Sequence, residues 1–306
     1  MATDLPVLVV GATGTQGGAV VNALLQQGTQ VRALCRSEPK GEALAKRGVE
    51  IALGDMDDFD ALVKAATGTR GVFSVQMPPS PRDNNDDSEI RHGRNLIEAA
   101  RQAGVETFVH TSVARAGDEQ NFVGWDEGRW WKPYWEQKSG VNELVRTAGF
   151  KHWTILKPAT IFENFLPRMA AYMYPALSKG SLETAMEPDT TMDMVAADDI
   201  AAFAAAAFAE TARFHAQEID LASESLTMQE IATVFTNVMN KAVKVRSMSY
   251  DDAVASGVYP FVVQNMVWEN VEGYKVDVQG TKSFDIPFQS FADWVQKNKD
   301  RLVVGV

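Results

Sequence analysis

The chain has 306 residues, 45% of them hydrophobic and 23% charged, enough to bury a large core and too apolar for a disordered chain. Its formal net charge of -11 repels phosphate backbones and anionic lipid surfaces, and no local basic patch offsets it, which excludes direct nucleic-acid or membrane-surface binding. A single cysteine, Cys35, excludes an internal disulfide, and four scattered histidines lack metal-ligand spacing, so no metal site is expected and a reducing, cytoplasmic setting fits.

The first predicted strand, Leu5 to Val10, runs into Gly-Ala-Thr-Gly-Thr-Gln-Gly-Gly and then into helical periodicity over Gln16 to Gln27. No basic segment precedes this run, so it reads as part of the motif and not as a signal peptide. Gly11, Gly14 and Gly17 stand where a tight turn must bring bare backbone against a pyrophosphate, and the helix start beyond them offers N–H groups and a positive dipole end. The spacing is G-x-x-G-x-x-G where the standard fingerprint is G-x-G-x-x-G, so the strand before and the helix after carry the reading. A dinucleotide is expected there, contacted by Gly11, Thr13, Gly14, Thr15, Gln16 and Gly17.

A second strand, Gln30 to Cys35, ends at Arg36, where an acid would be expected beside a ribose with free hydroxyls. With Ser37 and Lys40, Arg36 would accept a 2′-phosphate, which selects NADP(H); the plainer alternative is a solvent-facing arginine. After a helix over Gly41 to Arg47 and a strand over Val49 to Leu53, Asp55 and Met56 are placed at the adenine, although Asp55 reads equally as a helix N-cap. A helix over Phe59 to Thr67 leads to a strand at Gly71 to Val75, with Gln76 and Met77 following at the cofactor. The loop Gln76 to Asp87, with three prolines and then acids and asparagines, reads as mobile or as a lid.

Next come a helix at Ser88 to Ala103, a strand at Thr107 to Thr111, a helix at Tyr134 to Ala148 and a strand at Trp153 to Leu156. This alternation predicts an α/β fold with a doubly wound parallel sheet. Tyr134 and Lys138 lie one helical turn apart on one face, and Ser112 ends the preceding strand. A carbonyl reductase needs such a phenol to pass a proton, a cation to lower the phenol's pKa and a hydroxyl to hold the oxygen. Tyr134 reads alternatively as one more aromatic beside Trp130, Trp131 and Trp135, and Lys138 as an exposed ion-pairing residue.

From about Thr160 the rhythm lapses into methionine and aromatic patches, with a helix over Ile200 to Ala209, a strand at Glu218 to Leu221 and helices at Thr227 to Met239 and Gln289 to Arg301. The expected division is a nucleotide-binding domain of residues 1–158 and 184–222 and a smaller substrate-side domain of residues 159–183 and 223–306. Trp125, Trp131, Asn164, Phe165 and Met169 are candidate substrate walls for a flat apolar molecule; Phe162, Phe165, Met169 and Tyr172 also share helical spacing and read as core.

These residues carry a resemblance. Gly11 to Gly18, Arg32 to Arg36, Lys138 to Phe150, Trp153 to Phe165 and Asp198 to Ala201 together resemble an NmrA-like member of the atypical short-chain dehydrogenase/reductases, over most of the chain to about Leu226. The resemblance implies a Rossmann fold of the extended type that binds NADP(H), with Lys138 in the active-site helix and Pro158, Ala159, Thr160 and Ile161 lining the nicotinamide. Such families hold reductases of quinones, carbonyls and aromatic ethers, and also dinucleotide-sensing regulators that act through a protein partner without turnover. Many members lack the active-site tyrosine, so Tyr134 is a departure toward the catalytic short-chain pattern. The expectation is therefore an NADPH-dependent reductase of a ketone, aldehyde or quinone, monomeric or homodimeric, with Tyr134 as proton donor; the alternative is an NADP(H) sensor.

Overall fold

The computed structural model describes residues 5–305. Two compact units divide the chain: the first holds the residues up to Glu119, Trp131–Lys157 and Ala197–Ile219, the second Gln120–Trp130, Pro158–Ala196 and the residues from Asp220 onward. Residues 120–130, 158, 184–196 and 220–222, expected in the nucleotide-binding domain, lie in the second unit.

The first unit is built on a seven-stranded sheet. Its strands are β1 (Val7–Val9), β2 (Val31–Cys35), β3 (Glu50–Leu53), β4 (Gly71–Ser74), β5 (Thr107–Thr111), β6 (His152–Pro158) and β10 (Gln217–Leu221), in the order β10-β6-β5-β4-β1-β2-β3. Pairing is parallel from β3 through β6, with Val9 opposite both Ala33 and Phe73 and Ser74 opposite His110. Strands β1, β4 and β5 are buried along their whole length, which is why their sequences read as apolar runs and not as alternation.

Helices α1 (Thr15–Gln26), α2 (Glu38–Ala45), α3 (Phe59–Ala66), α4 (Ser88–Gln102) and α5 (Lys132–Thr147) link these strands. The alanine-rich helix Ala197–Ala209 packs against α1, its small side chains allowing close approach. In the other helical layer α4 lies between α3 and α5, and a Cβ at Gly93 would come within 2.7 Å of Val141, so only glycine permits the α4–α5 crossing there. Strand order reverses between β1 and β4, and the crevice at the carboxyl ends of such strands is where α/β sheets take ligands.

The second unit contains β7 (Thr160–Ile161), β8 (Ser181–Thr184), β9 (Thr191–Val195), β11 (Glu224–Thr227) and β12 (Lys244–Ser247). They form a β11-β9-β7 sheet and a β12-β8 pair. Its core gathers Phe162, Phe165, Phe235, Phe291 and Trp294, with Phe165 stacked 4.7 Å from Tyr174. The methionine and aromatic patches of the sequence are thus largely the interior of this unit. No helix among the described residues is long and apolar enough to cross a membrane.

Candidate active site

The glycine turn joins β1 to α1 at the reversal point. Gly11 adopts φ +67°, a left-handed conformation that L side chains resist. A Cβ on Gly17 would lie 2.2 Å from the Gly11 carbonyl oxygen, so the first turn of α1 rests directly on the turn's backbone. Gly14 N–H donates to Gly11 O at 2.8 Å, closing the loop. Helix α1 starts with Gly14 at its N-cap, no capping side chain and no acid in the first turn, a bare positive end suited to an anion. Gln16 does not face outward alone: its Oε1 accepts from Thr111 Oγ1 at 2.7 Å, tying α1 to the end of β5.

At the end of β2 the side chains of Arg36 and Lys40 are exposed and that of Ser37 half-buried, and none makes a hydrogen bond or ion pair with the described residues. Ser37 is instead the N-cap position of α2, which begins before the expected Gly41 because Pro39 fits its first turn. Asp55 accepts from the Asp57 N–H at 3.1 Å, and the N-cap of α3 is Asp58, bonded to Ala61 N–H, so the capping alternative for Asp55 is displaced by its neighbour. The Met56 carbonyl accepts from Asn95 Nδ2 at 2.9 Å.

Gln76 is buried and donates through Nε2 to Ser74 Oγ at 2.9 Å, whereas Met77 is 77% exposed. The loop between Gln76 and α4 is more organised than its composition suggests. Asp86 accepts from Ser80 N–H and Ser88 N–H, which hold its carboxyl below the usual carboxylate range, and Gln137 Nε2 bonds the Asp86 carbonyl at 2.6 Å. Trp131 Nε1 donates to Asn84 in the same loop.

Ser112 is buried; its N–H donates to Leu156 O at 2.7 Å and its Oγ has no partner among the described residues. Lys138 is only 7% exposed, and its Nζ is 2.6 Å from Oε1 of Glu89, which is 1% exposed in the first turn of α4. Of the alternative, an exposed ion-pairing lysine, the exposure is therefore overturned and the ion pair is present. Nζ also sits 5.9 Å from the Tyr134 ring centroid. The phenol, however, departs from expectation: burial first, and then the Glu89 carboxylate, hold its pKa well above the ordinary tyrosine value. The carboxylate compensates the ammonium that was to lower it.

Sequence reasoning passed over the polar groups underneath. His110 Nδ1 lies 3.2 Å from Ser74 Oγ, its Nε2 is enclosed without a partner among the described residues, and burial, aided by the Lys138 charge, pushes its pKa down to about 3. Asn142, one turn along α5 from Lys138, is fully buried, and neither amide atom has a partner among the described residues. Nothing local marks these residues, because each is read from its burial between elements.

The remaining candidates belong to the second unit. Pro158 closes β6, Ala159 N–H donates to Leu221 O, and Thr160 and Ile161 form β7. Trp125 is buried against Phe122, which also meets Trp268. Phe165, 1% exposed and packed on Tyr174, Phe235 and Phe291, is core and offers no wall to a substrate, a correction to the expectation. Asn164 is half-buried, Met169 is exposed and neighbouring Glu163 accepts from Trp294 Nε1. Among the described residues no group of three or more His, Cys, Asp or Glu side chains is arranged to hold a metal ion.

A doubly wound sheet with a glycine turn at its reversal point defines a fold of the dinucleotide-binding class. The chain belongs to the NmrA-like family, whose model matches residues 3–281. It is 27% identical over 262 residues to an NAD(P)H azoreductase from Xenophilus azovorans, covering 77% of this chain and 85% of that protein. It is also 27% identical over 201 residues to a photosystem II assembly factor from Cyanophora paradoxa, covering 65% of this chain and spanning 58% of that longer protein. In structure it is similar to an NADPH-dependent quinone oxidoreductase from Escherichia coli complexed with NADPH, with a TM-score of 0.75 at 23% identity over 95% of this chain and 99% of the other.

Proposed function

We propose that this protein is an NADPH-dependent oxidoreductase that delivers hydride to an apolar, conjugated acceptor, a quinone before a ketone or aldehyde. The observation that carries this reading is the β1–α1 turn, whose Gly17 leaves no room for a Cβ and whose helix start is free of acids. In this reading the amides of residues 11–17 hold the diphosphate, and Arg36, Ser37 and Lys40, uncommitted in the structure, take the 2′-phosphate. Lys138 binds the nicotinamide ribose, and Pro158 to Ile161 form the nicotinamide wall. The bound cofactor supplies the hydride.

The acceptor preference follows from the electrostatics. Tyr134 stays a protonated phenol at neutral pH, able to donate a proton but a weaker acid than an ordinary tyrosine. Acceptors that take up hydride before they need a proton suit such a donor, and a quinone is one; a ketone depends more on the acid. The unpartnered Ser112 Oγ is the group to hold the acceptor oxygen. The azoreductase and quinone oxidoreductase relatives support the same class of acceptor.

The test is a panel of quinones, azo dyes, aromatic aldehydes and ketones, followed by loss of NADPH absorbance for wild type and Tyr134→Phe. Quinones or dyes should turn over fastest, and Tyr134→Phe should slow carbonyl reduction at least about tenfold while NADPH affinity stays within about twofold. Unchanged carbonyl turnover in the variant removes Tyr134 from the mechanism. No NADPH oxidation with any acceptor, with binding intact, would instead favour a cofactor-sensing regulator.

A further inference from the structure

Glu89 is a carboxylate that the proposed reaction does not use and that the fold buries almost completely. It projects from the first turn of α4, where a helix N-terminus favours an anion, and meets Lys138 from α5 at 2.6 Å. A lysine ammonium is a point charge on a four-carbon stem, free to adopt many rotamers, and taking it out of water is unfavourable unless an opposite charge compensates. The geometry supplies both remedies at once: one rotamer and one counter-charge. Only one Glu89 oxygen is used for this, since Oε2 has no partner among the described residues.

We propose that Glu89 is a positioning residue for Lys138, fixing the ammonium between α4 and α5 and keeping it charged while buried, so that its other N–H donors are presented to the nicotinamide ribose. The last clause rests on the dinucleotide reading above; the first does not. The alternative is a plain structural staple between two helices, and pH separates the two.

The other titratable groups coupled to the pair, His110 and Tyr134, are shifted away from neutrality in opposite directions. Burial and the Lys138 charge push His110, from β5, down to about 3; burial and the Glu89 carboxylate hold Tyr134, from the same helix α5, above the ordinary tyrosine range; and burial, with the Arg91 charge, lowers His92, one turn along α4, below the ordinary histidine value. In Glu89→Gln the ammonium is buried without its counter-ion and sheds its proton as pH rises.

Two readouts on the full-length protein test this. In the first, the side-chain carbon shift of Lys138 is followed by NMR without nucleotide, assigned by its loss in Lys138→Met; the titration should move to lower pH in Glu89→Gln, and Glu89→Asp should restore it at least partly. In the second, NADPH affinity is measured from about pH 6 to about pH 9. Glu89→Gln should bind within about threefold of wild type at the acid end and lose about tenfold more than wild type by the alkaline end, while Lys138→Met binds weakly at every pH and is not weakened further by adding Glu89→Gln. An unmoved Lys138 titration, or an affinity curve for Glu89→Gln parallel to that of wild type, overturns the proposal and leaves a staple. If Lys138 shifts as expected but wild type binds no NADPH, Glu89 still sets the charge and place of the lysine and the cofactor reading alone fails.

Discussion

His110 shows how much one buried side chain commits the molecule to a pH range. With Nδ1 against Ser74 Oγ and Nε2 enclosed, the ring is neutral in the folded chain and its pKa falls from 6.5 to about 3. Below pH 6.5 the unfolded chain binds a proton that the folded one refuses, so the stability due to the neutral ring is complete above 6.5 and is lost as pH falls toward 3. The limiting slope is about 1.4 kcal/mol per pH unit for one such group. Urea unfolding at a series of pH values should show this loss in wild type, and His110→Asn, which keeps a polar partner for Ser74, should flatten it. Identical slopes would mean the ring is protonated or solvated in the folded state.

At the scale of elements, the helix Met228–Met239 is the clearest case of sequence dictating a boundary. Thr227 accepts from Glu230 N–H while Glu230 accepts from Thr227 N–H, a reciprocal cap written in the sequence as Thr-x-x-Glu. Thr227→Ala should cost about 1 kcal/mol, read as a lower urea midpoint at unchanged m-value. The central strands and their helices were legible because their apolar runs are long and their punctuation is glycine. Helix α2 was legible only in part: its first turn, Glu38 and Pro39 behind Ser37, carries no apolar periodicity, though the proline marks it. Strands such as β7 and β8 are too short to show a period, and β8 pairs with the distant β12. The same logic divides the site. Gly11 and Gly17 announce themselves because only glycine fits a positive φ or a contact with backbone. The Glu89–Lys138 pair does not, because an acid one residue inside a helix reads as a solvated partner of the helix dipole until the packing of α4 on α5 is known.

For the whole molecule, the net charge is -11, and against it Arg36 and Lys40, at the end of β2, are exposed cations whose side chains make no hydrogen bond or ion pair with the described residues. In the proposed reading a 2′-phosphate sits between them, the group that distinguishes NADPH from NADH. The glycine turn, which lies within the residues matched by the family model, supports a dinucleotide in that reading. Calorimetric titration of the intact protein with NADPH and then NADH therefore tests the account most directly. NADPH should bind with one site per chain and at least about tenfold more tightly than NADH; no heat with either nucleotide would contradict the reading of the β1–α1 turn on which the proposed function rests.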